Sequence, residues 1–226
     1  MIPWVLLDRA TLPGEGEELR LMRRGAEYSI MSGSIELMNS RLSGSEQALA
    51  TLTCGRISGR LSPHMLIGGL GMGFTLRAAL AVLPADAEVT VAELAGAVIA
   101  WARGPLAELF EGGLDDPRVR LLEGDVGAAI RGGRGAYDAI LLDVDNGPAG
   151  LSRRENDNLY DAKGLAAARA ALRPGGVLAV WSAAPDARFT ERLHRAGYAV
   201  EEVCVRARRP GRGARHVIWL AAKAQG

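Results

Sequence analysis

From His64 onward, short and nearly continuous apolar runs alternate with longer amphipathic ones. Met65 to Ile67 precedes Phe74 to Leu83, Glu88 to Ala92 precedes Ala95 to Phe110, and Val119 to Leu122 precedes Val126 to Ile130. The pattern continues with Ala139 to Leu142, a helix over Leu159 to Leu172, Gly176 to Trp181, and a helix over Ala187 to Ala196. Strict alternation of strand and helix predicts right-handed crossovers onto a mostly parallel sheet. Strands that are apolar at almost every position suit a sheet covered on both faces. The last two runs, Tyr198 to Val205 and His216 to Ala221, are joined by an Arg/Gly loop with no helix, which predicts a hairpin and so one antiparallel strand.

The first sixty residues have a different texture. Leu19 to Met22, Tyr28 to Met31 and Ser34 to Met38 read as strands joined by turns at Gly25 and Gly33. Ser45 to Ile57 reads as a linking helix with Ser45 as its N-cap. The expected organisation is a small β-hairpin region and linking helix at 1–62, followed by a Rossmann-like domain at 63–226.

Bulk properties narrow the function classes. The chain has 226 residues, enough for one good-sized α/β domain with an extension. It is 48% hydrophobic and 23% charged with a net charge of +1, so no global field draws it to nucleic acid or membrane. Cys54 and Cys204 stand in unrelated contexts without metal-ligand spacing, which fits a reducing cytoplasm and predicts no metal. Met1 to Leu7 is apolar but lacks a basic flank, and no run approaches the length needed to span a bilayer. The expectation is a soluble cytoplasmic protein whose partners must be read from its sites.

The first candidate site is Gly68-Gly69-Leu70-Gly71-Met72-Gly73, where a strand turns into a helix. Glycine there lets the backbone approach a ligand while helix-terminal amides face it. A dinucleotide fingerprint counted from Gly69 and Gly71 wants its third glycine where Phe74 stands, whereas Gly69-x-Gly71-x-Gly73 is the pattern used around adenosyl sulfonium cofactors. Three acids follow at successive strand ends. Glu93 is placed to accept both ribose hydroxyls, and Asp125 to accept from an adenine amino group or simply to cap a helix. Asp143 closes the fourth strand in Leu141-Leu142-Asp143-Val144-Asp145.

With these residues in place the chain resembles the spermidine synthase family of aminopropyltransferases, a branch of the class I methyltransferase fold. Tyr28 to Met38 followed by Ser45-Glu46-Gln47 is similar to that family's hairpin and Ser-Tyr-Gln helix. Gly68 to Gly73, Glu93, Gly124-Asp125, Tyr137 to Asp143 and Leu172 to Leu178 resemble its glycine loop, ribose acid, adenine-side Gly-Asp, catalytic strand and following turn. The resemblance implies a seven-stranded, mostly parallel Rossmann-like sheet, Asp143 as catalytic acid, and Gly69, Gly71, Gly73, Glu93, Asp125 and Gln47 around the cofactor. Asp145, Gln47, Tyr28, Tyr160 and Trp181 are candidates for the acceptor wall, core packing being at least an equal alternative for the aromatic ones, and the resemblance implies a homodimer. Two departures stand out: the aspartate of the family's glycine loop has no counterpart here, and the segment after Asp143 is shortened.

Desolvating an ammonium group without a carboxylate is costly, so the missing loop acid points toward S-adenosylmethionine, whose own carboxylate can meet loop amides. The expectation is therefore methyl transfer from S-adenosylmethionine to a small amine-bearing acceptor. Aminopropyl transfer from decarboxylated S-adenosylmethionine is the alternative. A non-catalytic nucleic-acid-binding protein is a remote third, resting on Arg206, Arg208, Arg209, Arg212 and Arg215, which read rather as a solvated loop or a flap.

Overall fold

The computed structural model describes residues 2–11, 18–144, 148, 158–208 and 212–225, with 208 and 212 as backbone only. Two sheets are present. An antiparallel sheet of four strands, β1 (Val5–Thr11), β2 (Glu18–Arg24), β3 (Glu27–Ser32) and β4 (Ile35–Asn39), is paired in sequence order. Helix α1 (Gly44–Arg56) leads from it to the main sheet. There, β5 (His64–Gly68), β6 (Glu88–Glu93), β7 (Val119–Glu123), β8 (Tyr137–Leu142), β9 (Leu172–Ser182), β10 (Tyr198–Arg208) and β11 (Arg212–Lys223) are ordered β10-β11-β9-β8-β5-β6-β7.

Strands β5 to β9 pair in parallel, and β11 runs antiparallel between β9 and the edge strand β10. The predicted closing hairpin is present. Its last strand lies inside the sheet and not at its margin. The order reverses at β5, whose neighbours are β6 on one side and β8 on the other, and such a switch point opens a crevice at the carboxyl ends of the strands.

Side chains alternate between the two faces with period two. Met65, Ile67, Val89, Val91, Ala139 and Leu141 pack on one side with residues of the small sheet, α1, α2 (Phe74–Leu80) and α3 (Gly96–Arg103). Leu66, Ile140, Leu142, Leu178, Val180 and Trp219 pack on the other with α5 (Val126–Gly132), α6 (Ala162–Ala171) and α7 (Ala187–Arg195). All six residues of β8 are buried, the signature of a strand covered on both faces. At its start Asp138 accepts from Arg60 Nη1 at 2.5 Å, Arg173 Nη1 at 2.6 Å and the His64 amide at 2.8 Å, tying three segments below the sheet.

Several boundaries differ from expectation. The run Ala95 to Phe110 breaks into α3 and the short α4 (Ala107–Phe110), because Pro105 cannot continue the hydrogen-bond ladder past Gly104. Leu172 opens β9 and does not end a helix, its neighbours being Arg173-Pro174-Gly175-Gly176. Strand β1 was not foreseen. It is an edge strand whose apolar residues Val5, Leu6 and Leu7 stay exposed, with no alternation to announce it. Ser43 holds the N-cap position of α1, and Ser45 lies inside the first turn, buried.

Candidate active site

The crevice at the switch point is built by the loop between β5 and α2. Gly69 and Gly73 have φ of 91° and 79°, in the left-handed region open to glycine. A Cβ at Gly69 would run into the Asp143 carbonyl oxygen, and one at Gly73 into the Phe110 ring. Gly69 thus brings the loop against the end of β8, while Gly73 serves packing of the loop on α4. The Asp143 amide donates to the Gly68 carbonyl at 3.0 Å, fixing that approach.

Glu93 leaves the end of β6 pointing into the same loop. Its Oε2 accepts from the Leu70 amide at 2.9 Å and its Oε1 from the Ala95 amide at 2.9 Å. Burial pushes its carboxyl up from the ordinary range, opposed by these amides. The Gly71 and Leu94 amides also approach this carboxylate, so Glu93 is fixed at the loop by backbone donors on several sides. Asp125 caps α5, accepting from the Gly127 amide at 2.8 Å and the Ala128 amide at 3.0 Å, with Arg131 at 3.1 Å. Its capping role is therefore realised, beside Gly124 on the crevice wall.

Two cavities meet at Asp143. One of about 160 Å³ is lined by Gly69, Glu93, Gly124, Asp125, Val144 and Asp143. The other, of about 150 Å³, is lined by Glu46, Met72, Phe74, Trp181 and Asp143 among others. Gly71, Leu37 and Met38 border both, so the small sheet forms a wall of the site.

The second cavity carries the unusual electrostatics. Asp143 is held by Thr75 Oγ1, which donates to Oδ2 at 2.6 Å. Burial, and then the nearby Glu46 carboxylate, push the Asp143 carboxyl up to about 7, against that hydrogen bond. Burial likewise raises Glu46, opposed by the Ser45 hydroxyl, which donates to Oε2 at 2.7 Å. Among the described residues no arginine or lysine pairs with either acid. Two acids in a dry pocket without a cation are costly unless they are neutralised or a cationic ligand arrives. The walls add an indole: the buried Trp181 Nε1 has no hydrogen-bond partner among the described residues.

The sequence-derived set is only partly assembled here. Gly69, Gly71, Glu93, Asp125 and Asp143 converge; Gly73 stands behind them against Phe110. Gln47 turns away, its Nε2 donating to Ser43 Oγ at 3.2 Å and its side chain facing a separate hollow with Thr51, Arg77 and Glu111. Tyr28 lies in the core under the small sheet with Arg23 over its ring at 5.5 Å. Tyr160 packs edge-on against Phe189 in the opposite core, its hydroxyl 3.5 Å from the Val144 carbonyl. None of these three lines either cavity. Asp145 falls outside the described residues. Glu46 is the residue sequence reasoning passed over. The signal was the spacing of α1 itself, since Glu46 shares a face with the buried Leu49, Ala50 and Thr53.

A parallel sheet with this strand order, a glycine loop at its switch point and acids on the following strand ends define an enzyme fold of the class I methyltransferase type. Solved structures of similar shape agree. A spermidine synthase in complex with the transition state analogue AdoDATO superposes with a TM-score of 0.74 at 18% identity, covering 98% of this chain and 73% of that one. The spermidine synthase from Thermotoga maritima gives 0.72 at 17% identity, covering 98% and 74%. No family model matches the chain. In sequence it is 32% identical over 155 residues to Polyamine aminopropyltransferase 1 of Streptomyces coelicolor, covering 65% of this chain and 28% of that protein. Polyamine aminopropyltransferase 2 of Pseudomonas aeruginosa is 35% identical over 120 residues, covering 51% and 32%. Putrescine N-methyltransferase 4 of Nicotiana tabacum is 34% identical over 115 residues, covering 50% and 28%. The matched stretch thus spans less than a third of each of these relatives. The chain is thus similar in fold to spermidine synthases and, over part of its length, similar in sequence to polyamine aminopropyltransferases.

Proposed function

We propose that the chain transfers an aminopropyl group from decarboxylated S-adenosylmethionine to a small amine. The observation that carries this reading is the pair of Glu46 and Asp143 lining one cavity, with no arginine or lysine beside them among the described residues. The case for methyl transfer rested on a missing acid in the glycine loop. Glu46 on α1 supplies a second carboxylate to the same space, so the pocket suits a ligand bearing ammonium groups.

The residues present fit such a ligand. Glu93 and the close backbone of Gly69 and Gly71 suit the adenosyl part, with Gly124 and Asp125 beyond. Bound decarboxylated S-adenosylmethionine supplies a carbon activated by a sulfonium leaving group. Asp143 sits between the cavities, where it orients the incoming amine and removes a proton from its ammonium form, leaving a neutral nucleophile. A carboxyl that titrates close to neutrality is well matched to that exchange. Phe74, Leu37 and Met38 give the cavity apolar walls, which strengthen the field of both acids.

Methyl transfer to the same amine is the second reading, favoured by the likeness to a putrescine N-methyltransferase. Calorimetric titration with S-adenosylmethionine and with its decarboxylated form separates the two. Tighter binding of the decarboxylated form, with turnover on putrescine, is expected; preference for the carboxylated form would return methyl transfer, and binding of neither would end both.

A further inference from the structure

The chemistry proposed above releases a proton beside two carboxyls whose charged forms burial already disfavours. An ammonium acceptor and a sulfonium donor become a secondary ammonium, a neutral thioether and one free proton. The amine lone pair forms the new C–N bond as the C–S pair returns to sulfur. Asp143 can take that proton, but its partners, Thr75 Oγ1 and the Gly68 carbonyl that accepts from its amide, lead no further outward.

Glu46 does lead outward. Its Oε2 accepts from the Ser45 hydroxyl at 2.7 Å, and Ser45 Oγ lies 2.9 Å from Nδ1 of His216 on β11. Ser45 is 1% exposed, while His216 is only half-buried and stacks edge-on against Trp181 at 4.8 Å. A hydroxyl flanked by a carboxyl and an imidazole can accept from one and donate to the other. Resting on the transferase reading, we infer that Glu46, Ser45 and His216 form a proton outlet from the acceptor cavity to the surface, with His216 as its terminal group. A proton reaching Glu46 passes to Ser45 Oγ as the Ser45 proton moves to His216 Nδ1, and the imidazole gives up a proton to solvent.

The electrostatic setting matches this use. Burial raises Glu46 and lowers His216, drawing an acid and a base toward each other, the condition for exchange without a deep trap at either end. Among the described residues, the charged groups on elements packed around His216 are Glu46 on α1, Arg206 on the paired strand β10 and Arg215 beside it on β11; Arg206 is turned to the Gly213 carbonyl at 3.1 Å. The packing alternative is a plain tether of α1 to the hairpin, where Gly44 already abuts the backbone of Arg206 and Ala207.

The test uses the whole chain with decarboxylated S-adenosylmethionine and putrescine across pH 6 to 9. Ser45→Ala and His216→Ala are expected to lower kcat by about tenfold to a hundredfold with KM within about twofold. The pH profile should change shape, and added imidazole should restore part of the His216→Ala rate. Wild-type kcat in both variants, or a loss uniform in pH and deaf to imidazole, overturns the outlet. A second readout needs no turnover: in the substrate-free protein the His216 ring 15N shifts should titrate in two steps, collapsing to one in Glu46→Gln. A single step in wild type overturns the coupling. An inactive wild type sinks the aminopropyl reading instead, and the relay then stands or falls on the titration curve.

Discussion

The two ends of β8 carry the same residue type under opposite conditions. Asp138 at its start is 2% exposed and ringed by Arg60, Arg173 and the His64 amide. Asp143, just past its end, has a threonine hydroxyl and the field of a second acid. A buried carboxylate enclosed by arginines is a finished structural joint. One held next to another acid, with a cavity in front of it, is an unfinished one that a cationic ligand completes. The pair shows that partner charge, more than burial, separates architecture from chemistry.

The sharpest way to break this comparison is to neutralise each acid. Asp143→Asn should lower kcat for aminopropyl transfer by about a hundredfold or more, while thermal melts at pH 8 show stability unchanged or raised, since an uncompensated charge has gone. Asp138→Ala should do the reverse, costing about 3 kcal/mol or more in urea unfolding because it strands two arginines, with the per-molecule rate of the folded fraction retained. Loss of stability in the first or of catalysis in the second would dissolve the distinction.

A pH series sharpens it. The Asp143 carboxyl is raised from 3.8 to about 7 in the folded chain, so between those values the native state holds a proton that the unfolded chain has released. Stability therefore falls as pH rises from about 4 to about 7. In Asp143→Asn that slope should flatten, as denaturation midpoints at pH 5 and pH 8 would reveal. The smallest effect is expected at the third acid: Asp125→Ala removes an N-cap worth about 1 kcal/mol, and a larger loss in affinity for the adenosyl ligand would mean that the cap has a second duty.

The strand-helix alternation and the closing hairpin were legible because both faces of the sheet are covered, which writes burial directly into β5, β8 and β9. The glycine loop, Glu93 and Asp143 were legible for the same reason: a strand end is located once the strand is. What depends on how α1 docks was not. Glu46 and Gln47 differ by one position, about 100° around the helix, and only the packed structure shows that the first faces Asp143 and the second does not. Tyr28 and Tyr160 carry hydroxyls that look chemical in a sequence, yet at 7% and 4% exposure their rings are core. Strand β1 shows the converse, a pairing set by backbone alone along an edge with almost no buried side chain.

The wall that β4 lends to both cavities, through Leu37 and Met38, has a bearing on how such a chain diversifies. Most of the chamber belongs to the crossover units, and one wall to a small sheet that pairs with nothing in the large one. A change in that small sheet would therefore reshape both cavities at once while leaving every strand pairing of the large sheet in place.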